Sequence, residues 1–341
     1  MILFQSILII LFCLLSAGGE EGIQTDGNFP REKIKTCTDL MINHDYDLAD
    51  TYIEKNFNDD RLTLLFLRSS LVHARMGDLE TVIDIDFFSS ISSELIEFAE
   101  KKLTSDPDDL KSLFYSGTVT GYISVAEMKK GNVWNAYRKA AESKEIMEQC
   151  LKIDPEFIES YLLIGSCNYW LSAKNLIRKV TRIFDNRRKG ISQIKSSVVK
   201  GSMNYAFGLN QLIWIHLDQK EYYQAESYVE EGLAEYPDSR FFLYPAAEMY
   251  KRSERWKEAA DYYEMVVQSL EEDNLSNRYF YLKNKLKLAE VRYALGETDS
   301  ALRLCEEIKN KVIIDDERAA AANILDKAED LKKSSLKKQN K

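Results

Sequence analysis

Two stretches of the chain repeat one pattern of residues: YYQAESYVEEGLAEYP at positions 222–237 and RWKEAADYYEMVV at positions 255–267. In each stretch an aromatic residue stands three positions before an alanine, and a large apolar or aromatic residue stands four positions after it. The two alanines, Ala225 and Ala259, are 34 residues apart. A fixed period of this length is typical of a repeat array, in which each repeat is one supersecondary unit.

The residue types in this pattern predict that each repeat is a pair of antiparallel helices. Two helices approach closely only where small side chains lie between their backbones, and Ala225 and Ala259 supply such side chains. Aromatic residues one turn before and after each alanine fill the space around the contact. A single pair leaves one apolar face uncovered, so we expect the pairs to stack on one another.

This part of the chain resembles the tetratricopeptide repeat (TPR), a 34-residue helix–turn–helix unit. The repeat that begins near Arg240 matches the signature of both TPR helices, at Leu243, Ala246, Ala247, Tyr250, Trp256, Ala259, Tyr263 and Val266. The repeat before it has glycine at one alanine position and matches in its second helix, at Tyr222, Ala225, Val229, Gly232 and Pro237. The resemblance implies an all-α fold, a TPR-like helical-hairpin solenoid.

A third repeat, at 288–308, carries Gly296 at its turn and Ala301 at the close-packing position. Extra residues at 271–279 separate it from the repeat before it. Upstream the register is looser, and long helical stretches such as 134–152 predict hairpins larger than the standard unit. The middle third of the chain also resembles the tetratricopeptide repeat protein 39 family, through DNRRKGISQI at 185–194 and YPDSRFF at 236–242. That resemblance implies an elongated, nonstandard repeat and carries no catalytic motif.

The domain organisation follows from these features and from the two ends of the chain. Residues 1–18 resemble a signal peptide and residues 19–37 are expected to form a flexible segment. The TPR-like α-solenoid is expected to span 38–336, with a C-terminal capping helix whose outer face is polar. A Lys-rich tail at 337–341 completes the chain.

The first 18 residues predict export. Their apolar run at 7–15 has the length of a signal-peptide core, and the small residues that follow place the cleavage after Gly18. No Lys or Arg precedes the run, so an uncleaved anchor is the alternative. We expect the protein in the periplasm or cell envelope, with a eukaryotic secretory compartment as the alternative.

Composition and motifs exclude several classes of function. The net charge of −9 argues against nucleic-acid binding. No glycine loop for phosphates and no serine nucleophile elbow occurs, and the three histidines are far apart in sequence, so we expect no enzyme, metal or cofactor. Four cysteines lie outside residues 1–18. We expect them in the core, with a disulfide between Cys150 and Cys167 as the alternative.

One basic island interrupts this acidic chain. Residues 174–200 contain nine basic residues and one acidic residue. Part of the island predicts an amphipathic helix that contacts anionic lipid headgroups or an acidic partner. The alternative is a helix whose apolar stripe packs in the solenoid while its cations are solvated. The cations in question are Arg178, Lys179, Arg182, Arg187, Arg188 and Lys189.

The TPR resemblance implies that a protein or peptide partner binds along a concave groove lined by the first helix of each repeat. The groove positions are Phe207, Asn210, Trp214, Phe241, Tyr244, Glu248, Lys251, Tyr169 and Trp170. The alternative for Phe207, Phe241 and Trp214 is that they fill the core between repeats. We therefore expect an exported non-enzymatic scaffold or adaptor. The abundance of aromatic residues supports the alternative function, a periplasmic small-molecule or lipid-binding accessory to an envelope transport system.

Overall fold

The computed structural model describes residues 29–173, 185–200, 202, 204–275, 278–311 and 313–339. Fifteen α-helices and one short 3-10 turn make up the regular structure of these residues, which contain no strand. The all-α prediction is therefore confirmed. The helices are α1 (Arg31–Ile42), α2 (Tyr46–Phe57), α3 (Arg61–Asp78), α4 (Ile85–Ser105), α5 (Leu110–Lys129), α6 (Val133–Ile153), α7 (Glu159–Ala173), α8 (Arg187–Ser197), α9 (Asn204–Gln219), α10 (Tyr222–Glu235), α11 (Arg240–Arg252), α12 (Trp256–Glu272), α13 (Tyr279–Ala294), α14 (Thr298–Asn310) and α15 (Arg318–Gln339).

Local chemistry sets several of the helix ends. The Asp109 carboxylate accepts a hydrogen bond from the backbone N–H of Ser112 at the start of α5, and the Ser239 hydroxyl accepts one from Phe241 at the start of α11. Gly296 has a φ of 84° in the turn between α13 and α14. This left-handed conformation favours glycine, and it explains why the predicted turn lies there.

The chain divides into two compact units. The N-terminal unit comprises residues up to Gly77 together with Asp84–Asp218, and the C-terminal unit comprises Asp78–Ile83 together with Gln219–Lys341. The short connection Asp78–Ile83, which joins α3 to α4, thus packs with the C-terminal unit. That placement could not be read from the sequence, because the nearest repeat of this unit lies more than a hundred positions away.

Aromatic side chains fill the core of the N-terminal unit. The rings of Phe66 and Tyr115 stack with centroids 4.0 Å apart, and the rings of Phe114 and Phe157 meet edge to face at 5.1 Å. All four side chains are buried. Helices α3, α5 and the segment before α7 are held together by these contacts.

Helices α7 and α8 of the same unit meet at two glycines. A Cβ atom built on Gly165 would lie 2.6 Å from the carbonyl oxygen of Gly190, and one on Gly190 would lie 2.5 Å from the carbonyl oxygen of Gly165. Only glycine permits backbones to approach this closely. The α7–α8 contact therefore depends on both positions.

The repeat positions of the C-terminal unit are buried as the pattern predicts. Ala225 and Ala259 have no exposed surface. At Gly232, where a TPR usually has alanine, a Cβ would come within 2.3 Å of the Phe242 ring. The glycine makes room for that ring, which is itself fully buried. The extra residues at 271–279 fall at the end of α12 and in the connection to α13.

Both ends of the described chain are more helical than expected. Helix α1 begins at Arg31, inside the stretch 19–37 that the sequence assigned to a flexible segment. It is amphipathic, with Ile34 and Cys37 fully buried, and the Arg31 guanidinium lies 2.7 Å from the Glu159 carboxylate. At the other end α15 continues to Gln339, into the predicted tail. The predicted signal peptide lies outside the described residues.

Candidate interaction surface

The candidate surface lies on α11 and α13, the two helices that correspond to first helices of repeats in the C-terminal unit. Arg240, Tyr244 and Glu248 follow one another at spacings of four on α11, and Lys283 and Lys287 do so on α13. Residues four apart lie on the same side of a helix. We call these five residues the α11–α13 polar face.

Glu248 and Lys287 join the two helices at the centre of this face. The Glu248 carboxylate accepts hydrogen bonds from the Lys287 ammonium, from the Tyr263 hydroxyl at 2.6 Å and from Arg252 at 3.2 Å. Burial alone would raise the pKa of Glu248, but Lys287 and Arg252 outweigh it and hold that pKa well below its usual value. Glu248 is therefore an ionised, fully paired carboxylate at neutral pH.

Burial also acts on the cation of this pair. It lowers the pKa of Lys287 to about 8, against the attraction of Glu248. The Lys287 ammonium donates a second hydrogen bond to the Tyr244 hydroxyl at 2.9 Å and lies 4.8 Å from the centre of the Tyr244 ring. Tyr244 in turn packs edge to face on Phe280 at 5.3 Å. The face thus combines aromatic rings with buried cations.

Arg240 forms the second ion-pair group of the face. Its Nε and Nη2 donate to the two carboxylate oxygens of Asp78 at 3.1 and 2.8 Å, and its Nη1 donates to Asp273 at 2.6 Å and to Ser269 at 2.7 Å. The Arg240 side chain is 2% exposed and that of Asp78 is 7% exposed. A bidentate pair in such a position is strong and geometrically specific.

Lys283 forms the third group, with the Glu80 carboxylate. Both side chains are largely buried, at 11% and 14% exposed. The Lys283 ammonium also lies 5.7 Å from the centre of the Tyr244 ring, within reach of a cation–π attraction. In each of the three groups a buried cation binds a carboxylate and neutralises its charge.

Comparison with known structures identifies the fold. The chain superposes on the crystal structure of PilW, described as a widely conserved type IV pilus biogenesis factor, with a TM-score of 0.50 and 14% identity over 73% of this chain and 95% of PilW. It superposes on Cut9 in the APC/C hetero-tetramer Cut9–Hcn1 with a TM-score of 0.53 and 11% identity, over 92% of this chain and 57% of that one. Both are TPR-containing proteins. The chain has a TPR-like fold. No family model and no curated protein sequence matches it.

Within this TPR-like fold, the groove residues predicted in the N-terminal unit lie in the core. Phe207, Asn210 and Trp214 of α9 are 1%, 2% and 2% exposed. Core packing was the alternative stated for Phe207 and Trp214, and it agrees with their burial. Every side chain of α9 from Asn204 to Leu217 is buried.

Tyr169 and Trp170 of α7 are buried as well, and both are hydrogen-bonded. The Tyr169 hydroxyl donates to the Asp218 carboxylate at 2.7 Å, and the Trp170 indole N–H donates to the side-chain oxygen of Gln211 at 3.2 Å. Buried tyrosine and tryptophan normally find such partners. These two residues join α7 to α9 inside the N-terminal unit.

The four groove residues predicted on α11 have different environments. Tyr244 and Glu248 are buried in the polar face, whereas Phe241 and Lys251 are half-buried. Phe241 packs edge to face on Phe242 at 5.3 Å, and Lys251 pairs with Glu290 of α13. The accessible part of the predicted groove therefore lies at the two ends of α11.

Sequence reasoning missed Arg240, Lys283 and Lys287, and with them the acidic partners Asp78 and Glu80. A signal was present for the two lysines, since an i, i+4 pair of cations on a first helix of the repeat resembles a groove position. No signal was present for Asp78 and Glu80, because their position beside α11 and α13 depends on tertiary packing alone.

The basic island is described only in part. Arg178, Lys179 and Arg182 lie outside the described residues. Arg187 at the start of α8 forms an ion pair with Asp185 at 2.6 Å, and Arg188 and Lys189 are exposed to solvent. Contact of these cations with an anionic surface remains a prediction.

The described cysteines have the environment of core residues. Cys37, Cys150, Cys167 and Cys305 are free thiols and are buried. Burial raises the pKa of each of the first three to about 12 and that of Cys305 to about 11. Such thiols are poor nucleophiles at neutral pH, because the thiolate is the reactive form.

Metal sites, membrane spans and surface pockets of the described residues bear on other functions. They contain no group of three or more His, Cys, Asp or Glu side chains placed to hold a metal ion. Within the same residues, none of the helices combines the length and apolar character needed to cross a bilayer. A surface depression at the α13–α14 turn is lined by polar and charged side chains, among them Arg292, Glu297 and Arg303.

Proposed function

We propose that the protein is an exported scaffold that binds a protein or peptide partner through the first helices of its C-terminal unit. The observation that carries this proposal is the composition of α11. Phe241 and Lys251 are its two half-buried groove residues, and they stand ten positions apart, about 15 Å along a helix. An aromatic anchor and a cation at this separation suit a peptide of four or five extended residues.

The class of partner is supported by the fold and by the neighbouring charges. A partner bound along the first helices of stacked hairpins contacts several repeats at once. Cut9, one of the structures with this fold, was crystallised in a hetero-tetramer with Hcn1. The polar face beside Phe241 holds carboxylates and cations in paired arrangements, which favours recognition of a charged peptide over catalysis.

Capture of a partner tests the binding proposal. The purified protein, carrying an affinity tag at its C-terminus, is incubated with an extract of its source and the captured proteins are identified by mass spectrometry. We expect the double variant Phe241→Ala, Lys251→Ala to lose most of the specific capture, because both changes are at half-buried side chains that leave the core intact. Tyr223→Ala is the matched control, since this tyrosine of α10 is 84% exposed and lies outside the first helices.

Two results would contradict the proposal. Specific capture that is equal for the wild type and the double variant would exclude α11 as the binding helix. Absence of any captured protein above the level of an untagged control would exclude the scaffold function itself. Circular dichroism of each variant verifies that helix content is unchanged.

Export is tested separately, because it depends on residues 1–18. We expect the protein recovered from the cell envelope or culture medium to begin at Gly19, as N-terminal sequencing would show. Recovery of the protein with residues 1–18 intact would instead favour the uncleaved anchor. Contact of the basic island with a membrane is tested by sedimentation with vesicles that contain anionic lipid, where Arg187→Ala, Arg188→Ala, Lys189→Ala should reduce binding.

A further inference from the structure

The last residue of α3 and the turn that follows it place an acidic–apolar–acidic sequence, Asp78-Leu79-Glu80, against the polar face of α11 and α13. Asp78 binds Arg240 through both carboxylate oxygens, and Glu80 pairs with Lys283. Leu79 between them is 5% exposed. The two carboxylates of the sequence thus bind side chains of α11 and α13.

Lys283 relies on Glu80 for neutralisation of its charge. Among the residues that the structure describes, Glu80 is the one carboxylate within ion-pair distance of the Lys283 ammonium. Lys283 is only 9% exposed, and Glu248, the nearest alternative carboxylate on α11, is already bound to Lys287, Arg252 and Tyr263. An unpaired buried ammonium is strongly unfavourable. Withdrawal of Glu80 would therefore leave a site that requires another carboxylate.

The chain reaches solvent directly after the acidic sequence. Val82 and Ile83, which follow the acidic sequence directly, are 47% and 38% exposed. Glu80 itself has a φ of 48°, a left-handed conformation that a glutamate adopts at some cost. Glu80 is consequently carried by a short turn that reaches the surface at its following residues, whereas Asp78 is the last residue of α3. A turn can leave its position more easily than a packed helix can.

We propose that Arg240 and Lys283 form a receptor site for a short acidic–apolar–acidic segment, and that Asp78-Leu79-Glu80 is the chain's own occupant of that site. This inference rests on the proposed scaffold function and names the chemistry of its partner. The partner is a protein segment with two carboxylate side chains separated by one apolar residue. Binding of the partner requires that the chain's own acidic turn is displaced.

Addition of the turn as a separate peptide tests the proposal. The occupant is disabled in the full chain by three changes made together, Asp78→Asn, Leu79→Ser and Glu80→Gln. The probe is a fluorescent peptide of residues 76–83, MGDLETVI, blocked at both ends, and the control peptide is MGNSQTVI. Fluorescence anisotropy measures the binding of each peptide to the triple variant and to the wild type.

We expect the acidic peptide to bind the triple variant at least about tenfold more tightly than the control peptide does, since it supplies two charge-assisted contacts. We expect a similar ratio between the triple variant and the wild type, whose site is filled. Addition of Lys283→Met to the triple variant should abolish the preference for the acidic peptide. Asp106→Asn with Asp108→Asn, two exposed carboxylates in the α4–α5 turn, is the matched control and should behave as the wild type.

Equal binding of the two peptides, or no binding by a triple variant with native helix content, would overturn the proposal. If the triple variant does not fold, Glu80→Gln alone is compared with Glu80→Gln, Lys283→Met under the same criteria. These results are independent of the capture experiment. A captured partner without peptide binding would leave the scaffold function standing and remove only the acidic site.

Discussion

Arg240 and Asp78 are 162 positions apart, yet their side chains form a bidentate ion pair with N–O distances of 3.1 and 2.8 Å. Asp273 accepts from the same guanidinium at 2.6 Å, but its side chain is 43% exposed whereas that of Asp78 is 7% exposed. Water can therefore solvate the Asp273 carboxylate when the arginine is absent, whereas the Asp78 carboxylate has little access to water. That difference leads to a direct test of which partner stabilises the C-terminal unit.

Asp78→Ala is expected to lower the free energy of unfolding by about 3 kcal/mol, because it removes one partner of a buried pair. Asp273→Ala is expected to cost about 1 kcal/mol or less, since an exposed ion pair is screened by water. Urea denaturation followed by circular dichroism measures both. Equal losses for the two variants would show that burial does not decide the strength of these pairs.

The two glycine contacts predict different responses to alanine. Gly165→Ala should destabilise the protein by about 3 kcal/mol, because the new methyl group would meet the backbone of α8, which cannot move independently. Gly232→Ala should cost about 1 kcal/mol, since the Phe242 ring can shift and alanine favours the helix. Thermal unfolding compares them. The double variant Gly232→Ala, Phe242→Leu should recover stability, and failure to do so would contradict the assigned clash.

The buried tyrosines predict a loss of stability at high pH. Burial raises the pKa of Tyr244 and Tyr263 well above 10.0, so the folded state keeps their protons where the unfolded state has released them. The unfolded state then binds fewer protons, and stability falls as the pH rises above about 10. Absorbance at 295 nm and circular dichroism at 222 nm are recorded together. Ionisation of all tyrosines before any loss of helix would contradict the prediction.

Glu248 predicts a corresponding loss of stability in acid. Its pKa is lowered in the folded state, so its contribution is present above the ordinary value of 4.5 and is lost as the pH falls below it. Glu248→Gln should cost about 3 kcal/mol at pH 7, because it leaves Lys287 buried without its carboxylate. The difference in stability between wild type and variant should narrow between about pH 5.5 and about pH 3.5, values about one unit above and below that ordinary pKa. A constant difference over this range would contradict the assigned pairing.

Because the cysteines are buried, we expect thiol reagents to modify them slowly. Cys37, Cys150, Cys167 and Cys305 are buried, and burial raises the pKa of every one of these thiols. We expect Ellman's reagent to modify the native protein at the rate of unfolding and the urea-denatured protein at once. Rapid reaction of one thiol in the native protein would identify an opening of the fold near that residue.

The fold and the site differ in how far the sequence predicted them. The spacing of Ala225 and Ala259 predicted the helix pairs, because close packing of two helices restricts one position to small residues wherever the pair occurs. The aromatic residues of α9 were harder to interpret. Phe207 and Trp214 have the same spacing whether they line a groove or fill a core, and only the structure shows that the side chains on all sides of α9 are buried.

The sequence by itself determined that this protein is an array of helical hairpins, where the repeats lie and that glycine forms the turn at Gly296, because each of these depends on contacts between residues close in the chain. Tertiary structure alone decided the polar face of α11 and α13. The charges of Arg240 and Lys283 are paired with the carboxylates of Asp78 and Glu80, which lie far upstream in the chain. Local pattern cannot encode such a meeting, since it arises only when distant segments are packed together and a buried charge must find its opposite.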